Sequence, residues 1–122
     1  MIMDLRKQQS LFVQLTAKLI EWTYANGYEL TFSEAYRSPT EAQINANTGA
    51  GIEHSLHCMR LAIDFNLFRD GMILSALADY APLGAYWKSL HMLACWGGDF
   101  KDKTGMPKPD ADHFSLAWGG IE

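Results

Sequence analysis

The sequence predicts an α+β domain in which a small, mostly antiparallel sheet packs with about three helices. Three observations predict it. Apolar residues recur at helical spacing early in the chain, alternate at strand spacing just after, and form a continuous run near the middle that Arg69-Asp70-Gly71 turns back on itself. With 122 residues the chain has room for one domain, spanning 1–122, around one core.

Residues from about 4 to 26 read as an amphipathic helix. Leu11, Leu15 and Leu19 recur at four-residue spacing, Phe12 and Trp22 widen the stripe, and Gly27 after Asn26 suits a left-handed C-terminal cap. Tyr28, Leu30 and Phe32 then alternate with Glu29, Thr31 and Ser33, the period of a half-buried strand running toward Tyr36-Arg37. Ser38-Pro39-Thr40-Glu41 combines an N-cap serine, a proline at the first helical position and a glutamate three residues after the cap. A short helix is expected to start there and end near Asn47-Thr48-Gly49, followed by a Gly-containing loop over 48–54. Leu61 to Phe68 is too apolar for a surface strand, and with Met72-Ile73-Leu74 it predicts a hairpin carrying Asp64 near the middle of its first strand. Residues about 80 to 94 predict the third helix, with Pro82 near its first turn and Leu83, Tyr86, Trp87, Leu90 and Leu93 toward the core. Trp96-Gly97-Gly98-Asp99-Phe100 ends it, Lys101 to Pro109 reads as a loop, and His113 to Trp118 as the last strand.

Bulk properties narrow the function classes. A hydrophobic fraction of 48% and a charged fraction of 20% exclude a disordered or fibrous chain. The net charge of −4, with no large basic patch, argues against nucleic acid as a ligand. The N-terminal segment is interrupted by Gln14, Thr16, Lys18 and Glu21 and reads as neither signal peptide nor membrane span. Cys58 and Cys95 are expected to be buried thiols in a reducing compartment, and the chain a monomer.

Two segments carry chemistry. Ser55 to Asp64 offers the imidazole of His57 and, seven residues on, a carboxylate inside an apolar run; Asp110-Ala111-Asp112-His113 offers a second imidazole with a carboxylate three residues before it. An ionised Asp64 between Ile63 and Phe65 costs several kcal/mol unless it is paired or binds a metal. His57, Asp64 and His113 together make a three-ligand zinc set, which leaves a fourth position for water. Asp110 is then free to act as general base. The competing reading of Asp64 is a salt bridge to Arg60 or Arg69, and each histidine alone reads equally well as structural. Asp112 rivals Asp110 as the base but would have to fold back to reach the same water. His54, in the approach loop, and His91, on the third helix, are not expected to be ligands. Asp99 reads either as a carboxylate orienting a ligand imidazole or as a plain turn residue. Lys101, Lys103 and Lys108 read as a solvated loop or as a contact to an anionic polymer.

Ser55, His57, Ala62 and Asp64, then Trp96-Gly97-Gly98-Asp99-Phe100, then Asp110, His113 and Phe114, resemble the zinc peptidases that include D-alanyl-D-alanine carboxypeptidases, vancomycin-resistance D,D-dipeptidases and phage L-alanyl-D-glutamate endopeptidases. The resemblance runs from about Phe32 to Leu116. It implies one zinc ion on His57, Asp64 and His113, Asp110 as catalytic acid/base, Arg37 as the arginine that steadies the oxyanion, and Ser55 as a hydroxyl on the substrate or behind the ligands. The bland alternatives are an Arg37 ion pair with Glu34 or Glu41 and a Ser55 that only shapes a turn. Arg60 stands where many members have glycine, and Asp110 where the dipeptidases carry glutamate. The bulk of Arg60 speaks against the small-substrate D,D-dipeptidases, and Leu61-Ala62-Ile63-Asp64-Phe65-Asn66-Leu67-Phe68 is closer to the phage type. The resemblance therefore implies a hydrolase of the peptidoglycan stem peptide, an endolysin made in a host cytoplasm and released onto the wall. A D-alanyl-D-alanine carboxypeptidase and a non-enzymatic metal-containing binding domain are the alternatives.

Overall fold

A computed structural model describes residues 4–47 and 55–122. Helix α1 spans Leu5–Ala25, and its first turn is closed by the Asp4 carboxylate, which accepts from the Lys7 amide at 2.8 Å. The stripe expected from the leucine spacing is present: Phe12, Leu15 and Leu19 are buried. Gly27 follows with a φ of 86°, a left-handed conformation that a side chain would strain. Helix α2 covers Pro39–Asn47, with the Glu41 amide donating to the Ser38 hydroxyl at 3.1 Å as its N-cap pattern requires. The loop expected over 48–54, His54 included, lies outside the described residues.

The sheet is antiparallel throughout its described pairs. Strand β1 (Glu29–Glu34) pairs with β2 (Ala62–Arg69), and β3 (Met72–Leu74) returns along β2 after a turn at Asp70 and Gly71, whose φ values of 52° and 76° are those of a two-residue hairpin. Strand β1 holds one edge of β2; the other edge takes β3 at its end and β5 (His113–Leu116) at its start, and β5 in turn pairs with β4 (Ala94–Trp96). A three-residue strand carries too little periodicity to read in advance, and β4 had been expected as the end of a helix.

Helix α3 accordingly differs from expectation at both ends. It runs Leu77–Leu90, three residues earlier at the start because the Asp79 carboxylate accepts from the Ala76 amide at 3.1 Å and closes a first turn ahead of Pro82. It stops at Leu90, where His91 adopts an extended φ of −162° and its Nδ1 accepts from the Leu93 amide at 3.0 Å. Leu93 is therefore 40% exposed rather than in the core. Phe32, expected inward, is 71% exposed, because β1 is an edge strand and a bulge between Phe32 and Glu34 changes its register. The last strand ends at Leu116 rather than Trp118.

Helices α1 and α3 cover one face of the sheet. Ile63, Phe65 and Leu67 from β2 and Phe114 and Leu116 from β5 meet Leu19, Leu83 and Trp87 there, and the Trp87 ring lies edge-on to both Phe12 and Phe114 at 5.7 and 6.0 Å. Strand alternation sends the intervening residues, Asp64 among them, to the opposite face.

Candidate metal centre and cleft

Register brings the separated residues together. Asp64 on β2 sits opposite His113 on β5 and opposite Glu34 on β1, so three strands deliver polar side chains to one spot. His57 arrives on a 3₁₀ turn, Leu56–Met59, whose N-cap is Ser55: its hydroxyl accepts from the His57 amide at 3.1 Å. Ser55 thus holds the histidine from behind, and it also borders the cleft.

The imidazoles converge on one carboxylate oxygen. His57 Nε2 lies 3.2 Å and His113 Nδ1 lies 3.1 Å from Asp64 Oδ1. His57 is 3% exposed, His113 7% and Asp64 15%, so the cluster is nearly dry. The other ring nitrogen of His57, Nδ1, donates to the Ala35 carbonyl at 2.8 Å and so leaves Nε2 facing Asp64. Burial alone would raise the Asp64 pKa; hydrogen bonds from His113 and His57 outweigh it and hold the carboxyl at about 2. For His57 burial pulls downward, but the bond and charge of Asp64 prevail and raise it.

The residues fit a zinc ion. The three donor atoms lie within 4.8 Å of one another. Ligand atoms about 2.0–2.1 Å from a tetrahedral zinc stand about 3.3 Å apart, close to the two spacings seen here. His113 Nε2 is buried with no hydrogen-bond partner, as for an imidazole orientated by what its Nδ1 binds, with Phe100 against its ring at a centroid distance of 5.3 Å. The salt bridges that competed for Asp64 do not form. Arg60 lies over the Tyr36 ring at 4.0 Å, and Arg69 covers Tyr28 and donates to the Asn26 carbonyl at 2.8 Å.

Position 60 also corrects an inference from bulk. Arg60 has a φ of 57°, so glycine is the natural occupant, yet its side chain turns onto Tyr36 and does not border the cleft. It narrows nothing in front of the triad.

Trp96-Gly97-Gly98 frames the turn that bears Asp110 and Asp112. The Trp96 indole donates to the Ala111 carbonyl at 2.7 Å and is flanked by Gly84 and Gly98, where an added Cβ would fall 2.2 and 2.3 Å from the ring. At Gly97 a Cβ would lie 2.1 Å from the Asp110 carbonyl oxygen, and the Gly97 carbonyl accepts from the Asp110 amide at 2.8 Å. Asp110 is held at its backbone while its side chain is 55% exposed, with Oδ2 3.9 Å from His113 Nδ1. Asp112 does reach the site: oxygens of Asp64, Asp110 and Asp112 lie within 4.8 Å of one another. Burial, a hydrogen bond to Asp110 and the charges of Asp64 and Asp110 push the Asp112 carboxyl up to about 7. Alternation along a strand would have sent it away from its neighbour His113, but residues 110–112 form a turn ahead of β5, which brings Asp112 round to the site.

Other expected residues fall as follows. Arg37 borders the cleft and forms the ion pair with Glu34 that was its alternative; its amide donates to the His57 carbonyl at 3.2 Å, and its Nε is buried without a partner. Asp99 is not on an imidazole: it pairs with Lys88 at 2.7 Å. Cys58 and Cys95 are free and half-buried rather than buried, outside the triad. The triad opens into a cleft of about 1200 Å³.

This fold is the one shared by peptidases of the kind the motif resembles. The chain is similar to the crystal structure of the Serratia marcescens L-Ala D-Glu endopeptidase ChiX, at 19% identity and a TM-score of 0.66, over 87% of this chain and 77% of that one. It is similar also to the vancomycin-resistance D,D-pentapeptidase VanY in complex with Zn(II), at 17% identity and a TM-score of 0.57, over 86% and 70%. VanYB in complex with D-alanine-D-alanine matches at 16% identity and 0.57, over 86% and 68%. No family model and no curated protein matches the chain.

Proposed function

We propose that the chain is a zinc-dependent peptidase of the peptidoglycan stem peptide and, more finely, an L-alanyl-D-glutamate endopeptidase. One observation carries the reading: two imidazole nitrogens and a carboxylate oxygen converge, at 3.1 and 3.2 Å, at a wide cleft with a half-exposed carboxylate, Asp110, beside them. The likeness to an L-Ala D-Glu endopeptidase and to Zn(II)-bound VanY supports it.

His57, Asp64 and His113 would hold the metal. A zinc ion there supplies Lewis acidity toward a carbonyl oxygen and toward water. Asp110 takes the proton of the attacking water and delivers it to the leaving amine, a role its exposure and its fixed backbone both permit. Asp112, hydrogen-bonded to Asp110, steadies that side chain. Arg37 turns its guanidinium toward the oxyanion that forms at the attacked carbonyl, while Glu34 anchors it.

Zinc stoichiometry by elemental analysis, with mass spectrometry of digested sacculi, tests the reading. New D-glutamate N-termini with about one zinc per chain are expected. Release of D-alanine alone would assign the carboxypeptidase activity instead, and intact sacculi with a full complement of zinc would leave a metal-containing binding domain.

A further inference from the structure

Lys101, Lys103 and Lys108 fall within eight residues, in a chain with ten lysines and arginines and a net charge of −4, and all three border the same cleft as the triad. The segment that bears them is a built hairpin rather than the loop expected from its prolines. Lys101 bridges to Pro107, the Lys108 amide donates to the Phe100 carbonyl at 2.9 Å, and the Asp102 amide to the Met106 carbonyl at 2.9 Å. The Asp102 carboxylate is taken up inside the tip, accepting from the Thr104 amide at 2.8 Å, its hydroxyl at 2.6 Å and the Met106 amide at 3.0 Å. Its base is fixed by Phe100, whose amide donates to Gly97 at 3.1 Å and whose ring packs on His113.

Apart from Asp64 and Asp110, three acids among the described residues border the cleft, and each has a partner. The Glu122 carboxylate accepts from the Cys95 thiol at 3.5 Å. Asp99 is paired with Lys88 at 2.7 Å, and Asp102 is saturated by its own turn, feeling Lys108 only as a charge. Among the described residues Lys101, Lys103 and Lys108 form no ion pair. The opposite flank of Asp110 has another character. A hollow of about 360 Å³ has Ile73, Leu74, Leu77 and Tyr80 on its border with Asn66, Ser75 and Asp112 at its polar side, and it shares only Pro109 and Asp110 with the large cleft. Asp110 therefore stands where an apolar subsite meets a cationic one.

From this we infer that the Phe100–Pro109 hairpin is a specificity subsite for a substrate carboxylate on the amine side of the cleaved bond, with a small apolar residue on the acyl side. The inference rests on the peptidase reading and deepens it. An L-alanyl-D-glutamate bond has that polarity, since the methyl belongs to the acyl residue and the free carboxylate to the amine residue. Ammonium groups meeting a carboxylate in a part-open cleft act mainly on binding, and salt screens them.

The test compares two synthetic stem peptides, identical except that the α-carboxylate of the D-glutamyl residue is free in one and a carboxamide in the other. With the zinc-loaded chain, kcat/KM is expected to be about tenfold higher for the acid, mostly through KM, and the ratio to shrink in salt. The triple variant Lys101→Gln/Lys103→Gln/Lys108→Gln is expected to lose that preference while cleaving the amide as before. A wild type indifferent to the carboxylate, or a variant equally poor on both peptides, overturns the subsite. Equilibrium binding of both peptides by calorimetry separates the two ideas. Charge-selective binding without cleavage defeats the peptidase reading and leaves the subsite standing, whereas unselective binding defeats the subsite.

Discussion

Strands β2 and β5 present two faces built from alternate residues of the same backbone, and the two obey opposite rules. On one, Ile63, Phe65, Leu67, Phe114 and Leu116 are buried under α1 and α3, and each stabilises by leaving water. On the other, Asp64 and His113 are almost as dry, but one brings a carboxylate and the other polar ring nitrogens, which burial penalises unless they find partners. Residues one apart in sequence therefore supply stability and hold the reactive groups. The dry face keeps the strands in register, and register is what sets the His113 to Asp64 distance of 3.1 Å. A metal that needs donors fixed within tenths of an ångström is well served by such a rigid base.

Substitutions can break or sharpen this contrast. Asp64→Asn should have the largest effect: zinc content below about a tenth of an equivalent and hydrolysis down by about 10³-fold or more, with the circular dichroism of a folded chain. Full activity would remove the triad from the chemistry. Asp110→Asn should lower kcat by about 10²- to 10⁴-fold with zinc content unchanged, because the proton acceptor goes and the ligands stay. On the dry face, Leu67→Ala should cost about 2–5 kcal/mol in urea unfolding, since Leu67 is fully buried, while turnover per folded molecule holds within about twofold. Lost turnover in a folded Leu67→Ala chain would show that the faces are not separable. Gly97→Ala should cost about 1–3 kcal/mol and reduce activity as well, because the new methyl would displace the Asp110 carbonyl now 2.1 Å from its position. The smallest change is Arg60→Gly, which relieves a left-handed φ of 57° but loses the Tyr36 contact; less than about 1 kcal/mol and unchanged kinetics are expected.

The candidate site was more legible than the fold around it, for a chemical reason. A carboxylate between Ile63 and Phe65 is anomalous wherever the strand lies, and two histidines near other carboxylates give it partners. Asp99 shows the limit of such reading, because an exposed charge takes whichever partner is nearest, here Lys88. Asp112 had to fold back to share the water of Asp110, and the turn before β5 does fold it back. The double glycine after Trp96 offered the missed signal, since adjacent glycines beside a large ring mark a backbone approached closely by something else.

Periodicity and capping residues by themselves determined the helix at the N-terminus and the hairpin at Asp70-Gly71, because each depends on neighbours within a few positions; the candidate site was read from its residue types and the motif they form. Only tertiary structure decided that β4 exists and pairs with β5, that Trp96 is clamped between Gly84 and Gly98, and that the lysine hairpin and the apolar hollow meet at Asp110. Those outcomes depend on contacts between residues far apart along the chain, whose spacing no local pattern encodes.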